Sequence, residues 1–178
     1  EAEEKKKKDL SAIDKAEADV KKQLEDIRSK ATAAAKTYNA KNQTTKVTVK
    51  YGNTVLKRGT DYKITGVTKA KNAGKYKITV KGINNYKGTK TIYYTINKAA
   101  QKSVKVKVNA SKKKITVSGV KAKAKVTYKS ANKKVKVKNG KITVGKGVKK
   151  GTKVRITVKV AATKNYKAYS KSIIYKVK

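Results

Sequence analysis

The sequence predicts a mainly β protein in which one N-terminal α-helix is followed by two antiparallel β-sandwich domains in tandem. Up to about residue 36, apolar residues recur at alternating three- and four-residue steps, which is typical of one face of a helix. From residue 38 onward they alternate with Lys and Thr in short runs rich in β-branched residues, which is typical of strands with one buried face. The predicted boundaries are residues 1–37 for the helix, 38–98 for the first β domain and 99–178 for the second.

The first segment has the composition and spacing of an amphipathic helix. Ala, Lys, Glu and Leu, all strong helix formers, dominate it, and Gly is absent. Glu17 occupies one step of an otherwise apolar stripe that is close to a heptad seam. The stripe consists of Leu10, Ile13, Val20, Leu24, Ile27, Ala31 and Ala34. Because one helix cannot bury such a stripe alone, we expect it to pair with another helix, to dock on the first β domain or to pack on protein upstream.

The two predicted β domains are sets of short alternating runs separated by turn residues. The first domain has runs at residues 47–51, 76–80 and 92–96, and Gly52-Asn53 supplies a turn after the first of them. The second has runs at residues 104–108, 115–117, 126–128, 135–137, 142–144, 154–160 and 173–177. Asn139-Gly140 lies between two of these runs and is the strongest short-range signature of a hairpin. Many short strands at close spacing favour sandwiches.

Both predicted β domains end in the same pattern of strand, Asn-Tyr-Lys loop and final strand. The pattern is Ile78-Thr79-Val80-Lys81, Asn85-Tyr86-Lys87 and Thr91-Ile92-Tyr93-Tyr94 in the first, and Ile156-Thr157-Val158-Lys159, Asn165-Tyr166-Lys167 and Ile173-Ile174-Tyr175 in the second. We interpret this repetition as two related modules, with a boundary near residues 98–101.

The residue types that the chain lacks exclude most catalytic chemistry. Cys, His, Met, Phe, Trp and Pro are all absent, so the commonest general base and the commonest metal ligands are missing. Asp61 is the one acid after residue 37, and we predict that it closes a turn with the backbone rather than assisting a Lys–Asn crosslink. The sequence therefore predicts a protein that is not an enzyme and needs no cofactor or metal.

The reduced alphabet leaves two interpretations of origin open. One is a natural lysine-rich surface or secreted protein with an extreme compositional bias. The other is an artificial protein, designed or generated from few residue types, with no evolved ligand. The turn residues favour the first interpretation, and the joint loss of six residue types favours the second.

Charge is the strongest functional signal in the sequence. The net charge is +40, yet residues 1–36 hold nine of the ten acids and are nearly neutral. Only Arg28, Arg58 and Arg155 are arginines, and Lys lacks the planar fork with which Arg reads bases or grips phosphate. We therefore expect diffuse, salt-sensitive binding to polyanions such as teichoic acid, glycosaminoglycan or extracellular DNA. A non-specific nucleic-acid-binding protein is the weaker alternative.

The eleven tyrosines are the remaining candidates for ligand contact. Because Phe and Trp are absent, most of them are expected to fill the cores, with Tyr86 and Tyr166 as corner residues in matching loops. Those predicted to point inward are Tyr51, Tyr76, Tyr94, Tyr128 and Tyr175. Those predicted to be exposed, and so to contact a ligand, are Tyr62, Tyr93 and Tyr169.

Several motifs carry a resemblance to bacterial surface proteins. Gly59-Thr60-Asp61-Tyr62, Asn72-Ala73-Gly74 and Asn85-Tyr86-Lys87-Gly88-Thr89 resemble a repeat of Gram-positive cell-surface proteins. Residues 114–117, 125–130 and 139–144 are similar to bacterial immunoglobulin-like (Ig-like) domains, and the resemblance covers roughly residues 40–178. It implies Ig-like sandwiches that serve as stalks, spacers or adhesive modules, and it brings no catalytic residues.

The resemblance also sets an expectation for location. It implies an extracellular or cell-wall protein, and no apolar run is long enough to insert into a membrane. We expect any secretion signal or wall anchor to lie outside these residues. The chain departs from the family in having neither Pro nor Phe.

Overall fold

The computed structural model describes the backbone of residues 2–178 and the side chains of residues 2–19 and 31–178. The described chain is mainly β, with one N-terminal helix and several sheets, which confirms the predicted fold class at this level. It divides into two compact units, Glu1–Asn97 and Lys98–Lys178. Within the described residues, no helix has the length and apolar character needed to cross a membrane.

The first unit contains the helix and ten strands. These are α1 (Ala2–Lys30), β1 (Thr32–Ala33), β2 (Lys36–Thr37), β3 (Gln43–Thr44), β4 (Val47–Thr48), β5 (Lys50–Tyr51), β6 (Thr54–Val55), β7 (Tyr62–Gly66), β8 (Lys69–Ala70), β9 (Gly74–Gly82) and β10 (Thr89–Asn97). The main sheet has the order β2-β10-β9-β7, with β2 parallel to β10 and the other pairs antiparallel. The short strands form the pairs β1-β4, β3-β8 and β5-β6.

The helix is shorter than the sequence predicts. It ends at Lys30, six residues before the predicted end, and the Ala-rich segment after it forms β1 and β2. Ala33 pairs with Val47, and Lys36 pairs with Ile96 at the end of β10. Strand pairing thus overrides the helix propensity of this Ala-rich stretch, which is a weak preference of well under 1 kcal/mol per residue.

The described part of the helix is exposed. Leu10 and Ile13, the first two residues of the predicted apolar stripe, are 64% and 55% exposed. The stripe residues Val20, Leu24 and Ile27 lie outside the described side chains. Ala31, after the helix, is buried in the core of the first unit. The backbone of α1 comes within 8 Å of β5 and β10, measured between Cα atoms.

The predicted strand at residues 47–51 is split into β4 and β5. Val49 lies between them and is fully buried, and its carbonyl oxygen accepts a hydrogen bond of 2.9 Å from the Leu56 N–H. The chain then turns at Gly52-Asn53 so that Tyr51 pairs with Thr54, which confirms the predicted turn.

The core of the first unit follows the period of two along β9 and β10. Ile78 and Val80 on β9 face inward, as do Ile92, Tyr94 and Ile96 on β10. The aromatic ring of Tyr94 stacks on that of Tyr76, with 5.1 Å between ring centroids and 26° between planes. The alternate residues of both strands therefore form the outward face of the sheet.

The second unit contains seven strands in two sheets. The strands are β11 (Lys105–Asn109), β12 (Lys114–Ser118), β13 (Val126–Ser130), β14 (Val135–Lys138), β15 (Lys141–Val144), β16 (Lys153–Val160) and β17 (Tyr169–Lys176). One sheet has the order β11-β12-β15-β14 and the other β13-β16-β17, and all described pairs are antiparallel.

Both sheets of the second unit contribute to one buried cluster. Its members from the first sheet include Val106, Ile115, Val135 and Ile142, and those from the second include Val154, Ile156, Val158, Val160 and Tyr175. Since these residues alternate with Lys, Arg, Thr and Ser, the period of two sorts apolar side chains inward and basic or hydroxyl side chains outward.

The hairpin predicted at Asn139-Gly140 is confirmed. Lys138 pairs with Lys141 across a two-residue loop. Asn139 and Gly140 have φ angles of 49° and 80°, the left-handed conformations that this tight turn requires. The Gly140 backbone also lies against the Ile115 carbonyl oxygen on β12, so a side chain at this position would collide with β12.

Candidate polyanion-binding surfaces

The outward faces of the sheets are lined with lysine. On β9, Lys75, Lys77 and Lys81 are exposed and alternate with the inward Ile78 and Val80. Of the lysines whose side chains the structure describes, all are exposed except Lys36 and Lys90, which are half-buried. The ammonium groups therefore face water, where a polyanion can reach them.

The two units differ sharply in charge balance. Lys98–Lys178 contains 26 lysines and one arginine and has no Asp or Glu. Glu1–Asn97 contains 23 bases together with all ten acids, nine of them in the helical segment and its flank. The second unit therefore has no carboxylate side chain of its own to neutralise its cations.

Tyr93 is exposed, as predicted, on the outward face of β10. It is 50% exposed and pairs in register with Lys77 on β9. The Lys75 Nζ lies 4.4 Å from the centroid of the Tyr93 ring, a cation–π arrangement. The ring and the two ammonium groups together form a small platform that carries positive charge beside a π face.

The prediction that Tyr62 is exposed is wrong. Tyr62 is only 4% exposed and belongs to the core of the first unit. Its hydroxyl donates to the Val47 carbonyl oxygen at 3.5 Å. Burial raises the pKa of Tyr62, the nearby Arg58 charge opposes this rise, and the Asp61 charge adds to it. The alternation of Tyr62 and Ile64 with Lys63 and Thr65 is the signal that would have predicted β7 and this burial.

Tyr169 is half-buried rather than fully exposed. It packs against the core of the second unit at the start of β17. It also lines an open depression of about 400 Å³, together with Lys125, Lys159, Thr127 and Ser170. Val160, Ala161 and Ala168 complete a lining that is mostly apolar, with the two lysines at an open depression, so the depression itself is not a dedicated anion site.

The tyrosines predicted to fill the cores differ in how completely they do so. Tyr94 and Tyr175 are fully buried, which confirms the prediction for them. Tyr51, Tyr76 and Tyr128 are half-buried and pack against the same cores. Burial raises the pKa of Tyr128. Burial also raises the pKa of Tyr94, and the nearby Tyr76 makes a smaller contribution in the same direction.

The corner tyrosines Tyr86 and Tyr166 are both half-buried. The Tyr86 ring meets the Tyr51 ring edge-on, with 6.0 Å between centroids. The Tyr166 N–H donates to the Thr163 hydroxyl at 3.1 Å. These contacts are typical of residues that hold a loop in place.

Asp61 closes a turn, as predicted. Its carboxylate accepts a 2.7 Å hydrogen bond from the Lys57 N–H, and its own N–H donates to the Lys57 carbonyl oxygen at 2.8 Å. Within the part of the chain that the structure describes, no three acidic side chains lie together in a way that could hold a metal ion.

A second lysine-lined depression was not predicted. It has a volume of about 420 Å³ and lies beside the β14–β15 hairpin, and its lining includes Lys133, Lys134, Lys136 and Lys146. Sequence reasoning missed it because lysine is abundant throughout the chain, so spacing alone does not separate clustered lysines from scattered ones.

Comparison of the chain with protein-family models, with curated proteins and with solved structures finds no match. Charge, burial and strand register are therefore the features that support a function for this chain.

Proposed function

We propose that this chain is a non-catalytic structural or adhesive module that binds polyanions through diffuse charge. The observation that carries the proposal is the charge balance of the second unit, in which 27 exposed bases face no acidic side chain. A surface of this kind attracts any polymer with dense negative charge. Outside a cell or in a cell wall, the candidate polymers are teichoic acid, glycosaminoglycan and extracellular DNA.

We further propose that each unit is an Ig-like sandwich that serves as a stalk or spacer. In the second unit, the support is that sheets of four and three strands share one buried cluster. In the first unit, the support is a four-stranded sheet whose inward residues pack with those of the short strand pairs. A crystal structure of the chain tests this, because it must place the two sheets of each unit face to face.

Diffuse binding is favoured over recognition of a particular sequence or sugar. Lys supplies a compact, strongly hydrated point charge, whereas Arg supplies two parallel donors. Of the three arginines, only Arg155 lies in a strand of the second unit. The ring of Tyr93 is an isolated platform, and single-strand binding by stacking uses successive aromatic rings.

The test is a salt titration of binding to heparin, teichoic acid, duplex DNA and a neutral glycan. We expect the three polyanions to bind and to be released with a linear fall of log affinity against log salt concentration, and the neutral glycan not to bind. The variant Tyr93→Ser should change each affinity by less than about twofold, since exposed single contacts contribute little. Retention of the neutral glycan, or of one polyanion alone at high salt, would contradict diffuse binding.

A further inference from the structure

Three lysines lie in one row across three neighbouring strands of the second unit. Lys114 on β12 pairs directly with Lys141 on β15, and Lys141 pairs directly with Lys138 on β14. All three are exposed on the outward face of the sheet. Adjacent strands are about 4.8 Å apart, so each neighbouring pair in the row is closer together than the Debye length of about 8 Å at physiological salt.

The backbone holds two members of the row especially close. The Ile115 N–H donates to the Gly140 carbonyl oxygen at 2.7 Å, and the Ile142 N–H donates to the Lys113 carbonyl oxygen at 2.8 Å. These bonds flank the pair of Lys114 and Lys141, which is therefore a non-hydrogen-bonded pair, the type with the closer side chains. The pairing is fixed by the sheet, so the two side chains cannot move apart at their Cβ atoms.

The row is an exception to the pattern on its own sheet. Elsewhere on this face, each lysine opposes a hydroxyl side chain: Lys105 opposes Ser118, Lys107 opposes Thr116, and Lys136 opposes Thr143. The other direct lysine pairs among the described strands, Lys63 with Lys81 and Lys153 with Lys176, are isolated pairs and not rows. Like charges placed directly opposite each other are destabilising, and a bound anion removes that cost.

The second unit offers the row no acidic side chain. The second unit has no Asp or Glu, and the neighbour of Lys114 on β11 is the neutral Asn109. The Asn109 Oδ1 already accepts a hydrogen bond of 2.9 Å from the Lys112 N–H. No acidic side chain of this unit therefore balances the three ammonium groups.

We infer that the lysine row, Lys114, Lys141 and Lys138, is a localised binding site for a polymer that carries its negative charge on phosphate groups. The inference rests on the proposed polyanion binding: within a surface that attracts every polyanion through diffuse charge, the row is the place where phosphate groups are held most tightly. Ammonium groups bind phosphate as point charges, and each offers three N–H donors to its oxygens. The outward positions of β11, β12, β15 and β14 hold no aromatic residue, so on this face the ammonium groups are the groups that bind, and phosphate is what they bind.

The path of the polymer continues from the row into the neighbouring depression. Lys136 lies two residues from Lys138 on the same face of β14, a separation of about 6.8 Å. Lys136 also lines the depression of about 420 Å³ that Lys133, Lys134 and Lys146 complete. Seven lysines thus follow one another along a continuous surface.

The test compares two double variants of the full chain with the same loss of charge. Lys114→Thr with Lys141→Thr removes the row, and Lys105→Thr with Lys107→Thr removes two lysines from the same face that oppose hydroxyls. Affinity for sodium tripolyphosphate is measured by calorimetry at physiological salt. We expect the first variant to bind at least about tenfold more weakly, because each charged hydrogen bond lost contributes more than a factor of ten, and the second to change less than about threefold.

A measurement without ligand keeps the test independent of folding defects. At low salt, Lys114→Thr with Lys141→Thr should unfold at a higher urea concentration than the wild type, because repulsion within the row is relieved, whereas the control variant should shift less. The single variant Lys141→Gln, which removes the central charge alone, should also weaken tripolyphosphate binding. It replaces the double variant in the binding test if the double variant does not fold. A lower urea midpoint for Lys141→Gln overturns the argument from repulsion.

The outcomes separate this inference from the proposed function. If heparin, DNA and tripolyphosphate all bind the wild type and both double variants weaken equally, binding is diffuse and the lysine row is not a site. If heparin and DNA bind but tripolyphosphate does not, the row is again overturned while the proposed function stands. If no polyanion binds the wild type, the proposed function itself fails.

Discussion

Tyr94 and Tyr175 occupy equivalent positions at the ends of the two repeats, and both are fully buried; among the described residues neither hydroxyl group has a hydrogen-bond partner. Burying a hydroxyl without a partner costs about 1–3 kcal/mol. Tyr76 differs, because its hydroxyl donates to the Asn72 carbonyl oxygen at 2.7 Å. Since Phe is absent from the chain, Tyr fills positions where a ring without a hydroxyl suits the surroundings better.

We therefore predict that Tyr94→Phe and Tyr175→Phe stabilise the protein or leave its stability unchanged, with a gain of up to about 1 kcal/mol each. The control Tyr76→Phe should destabilise by about 1 kcal/mol, since it removes a satisfied hydrogen bond. Urea unfolding followed by circular dichroism measures all three. A clear loss of stability in both Tyr94→Phe and Tyr175→Phe would show that their hydroxyls do have partners.

A second prediction concerns alkaline pH. Burial raises the pKa of Tyr128 above the usual value of 10.0, so the folded state keeps this proton when the unfolded state has lost it. The stabilisation is fully present below pH 10 and is lost as the pH rises above the unfolded pKa. Tyr128→Phe should therefore lose stability less steeply than the wild type above about pH 10.

Unfolding free energies of both proteins, measured from pH 8 to 11.5, test this difference. The contributions of all other ionisable groups are the same in both proteins and cancel. Parallel curves above pH 10 would mean that Tyr128 ionises equally in the folded and unfolded states.

At the scale of single elements, the terminal hairpins of the two units share their register. Tyr93 opposes Lys77 in the β9–β10 pair, and Ile174 opposes Arg155 in the β16–β17 pair. Each unit thus presents one large exposed side chain beside a base on its outward face. The internal repetition seen in the sequence reappears as this matched geometry.

The Asn139-Gly140 turn has no room for a side chain at its glycine. Gly140→Ala forces a side chain into the left-handed region and against the Ile115 carbonyl oxygen, so we expect a loss of at least about 2 kcal/mol. Gly151→Ala is the matched control, because Gly151 has a φ of 89° with open space around it. Gly151→Ala should lower the free energy of unfolding by about 1 kcal/mol, which is the cost of placing a residue with a side chain in the left-handed region. Urea midpoints compare the two, and equal losses would exclude the collision with β12.

The exposed start of α1 leads to a prediction about the helix. Leu10→Gln with Ile13→Gln should change the free energy of unfolding, measured with urea, by less than about 0.5 kcal/mol, because both side chains already face water. Analytical ultracentrifugation is the companion measurement. A shift to a smaller assembly in the variant would show instead that the stripe pairs with a second helix.

At the scale of the whole molecule, repulsion between like charges lowers the stability of the folded state. A net charge of +40 on 178 residues repels itself at low ionic strength. We predict that the urea midpoint rises between about 10 mM and 300 mM NaCl, where the Debye length falls several-fold. A variant with eight outward lysines of the second unit changed to Gln should show a smaller rise. A midpoint that falls with salt would mean that attractive ion pairs dominate.

Two tyrosines and one row of lysines show how much of the candidate surface was predictable. The exposure of Tyr93 follows from strict alternation in a long strand that the sequence predicts. The prediction for Tyr62 is wrong because β7 begins directly after the Asp61 turn. Side chains alternate between the two faces of a strand, so a shift of one residue in where the strand begins decides whether the Tyr62 ring faces water. The lysine row was not predictable, because cross-strand register depends on which strands become neighbours.

The order of helix then strands, the outward placement of lysine, the Asn139-Gly140 hairpin and the excess of charge were determined by the sequence alone, because each depends on local periodicity or composition. The end of the helix at Lys30, the burial of Tyr62 and the alignment of Lys114, Lys141 and Lys138 were decided only by the tertiary structure. The physical reason is that these features depend on pairing between segments distant in sequence, whose free energy outweighs the weak local preferences of the residues involved.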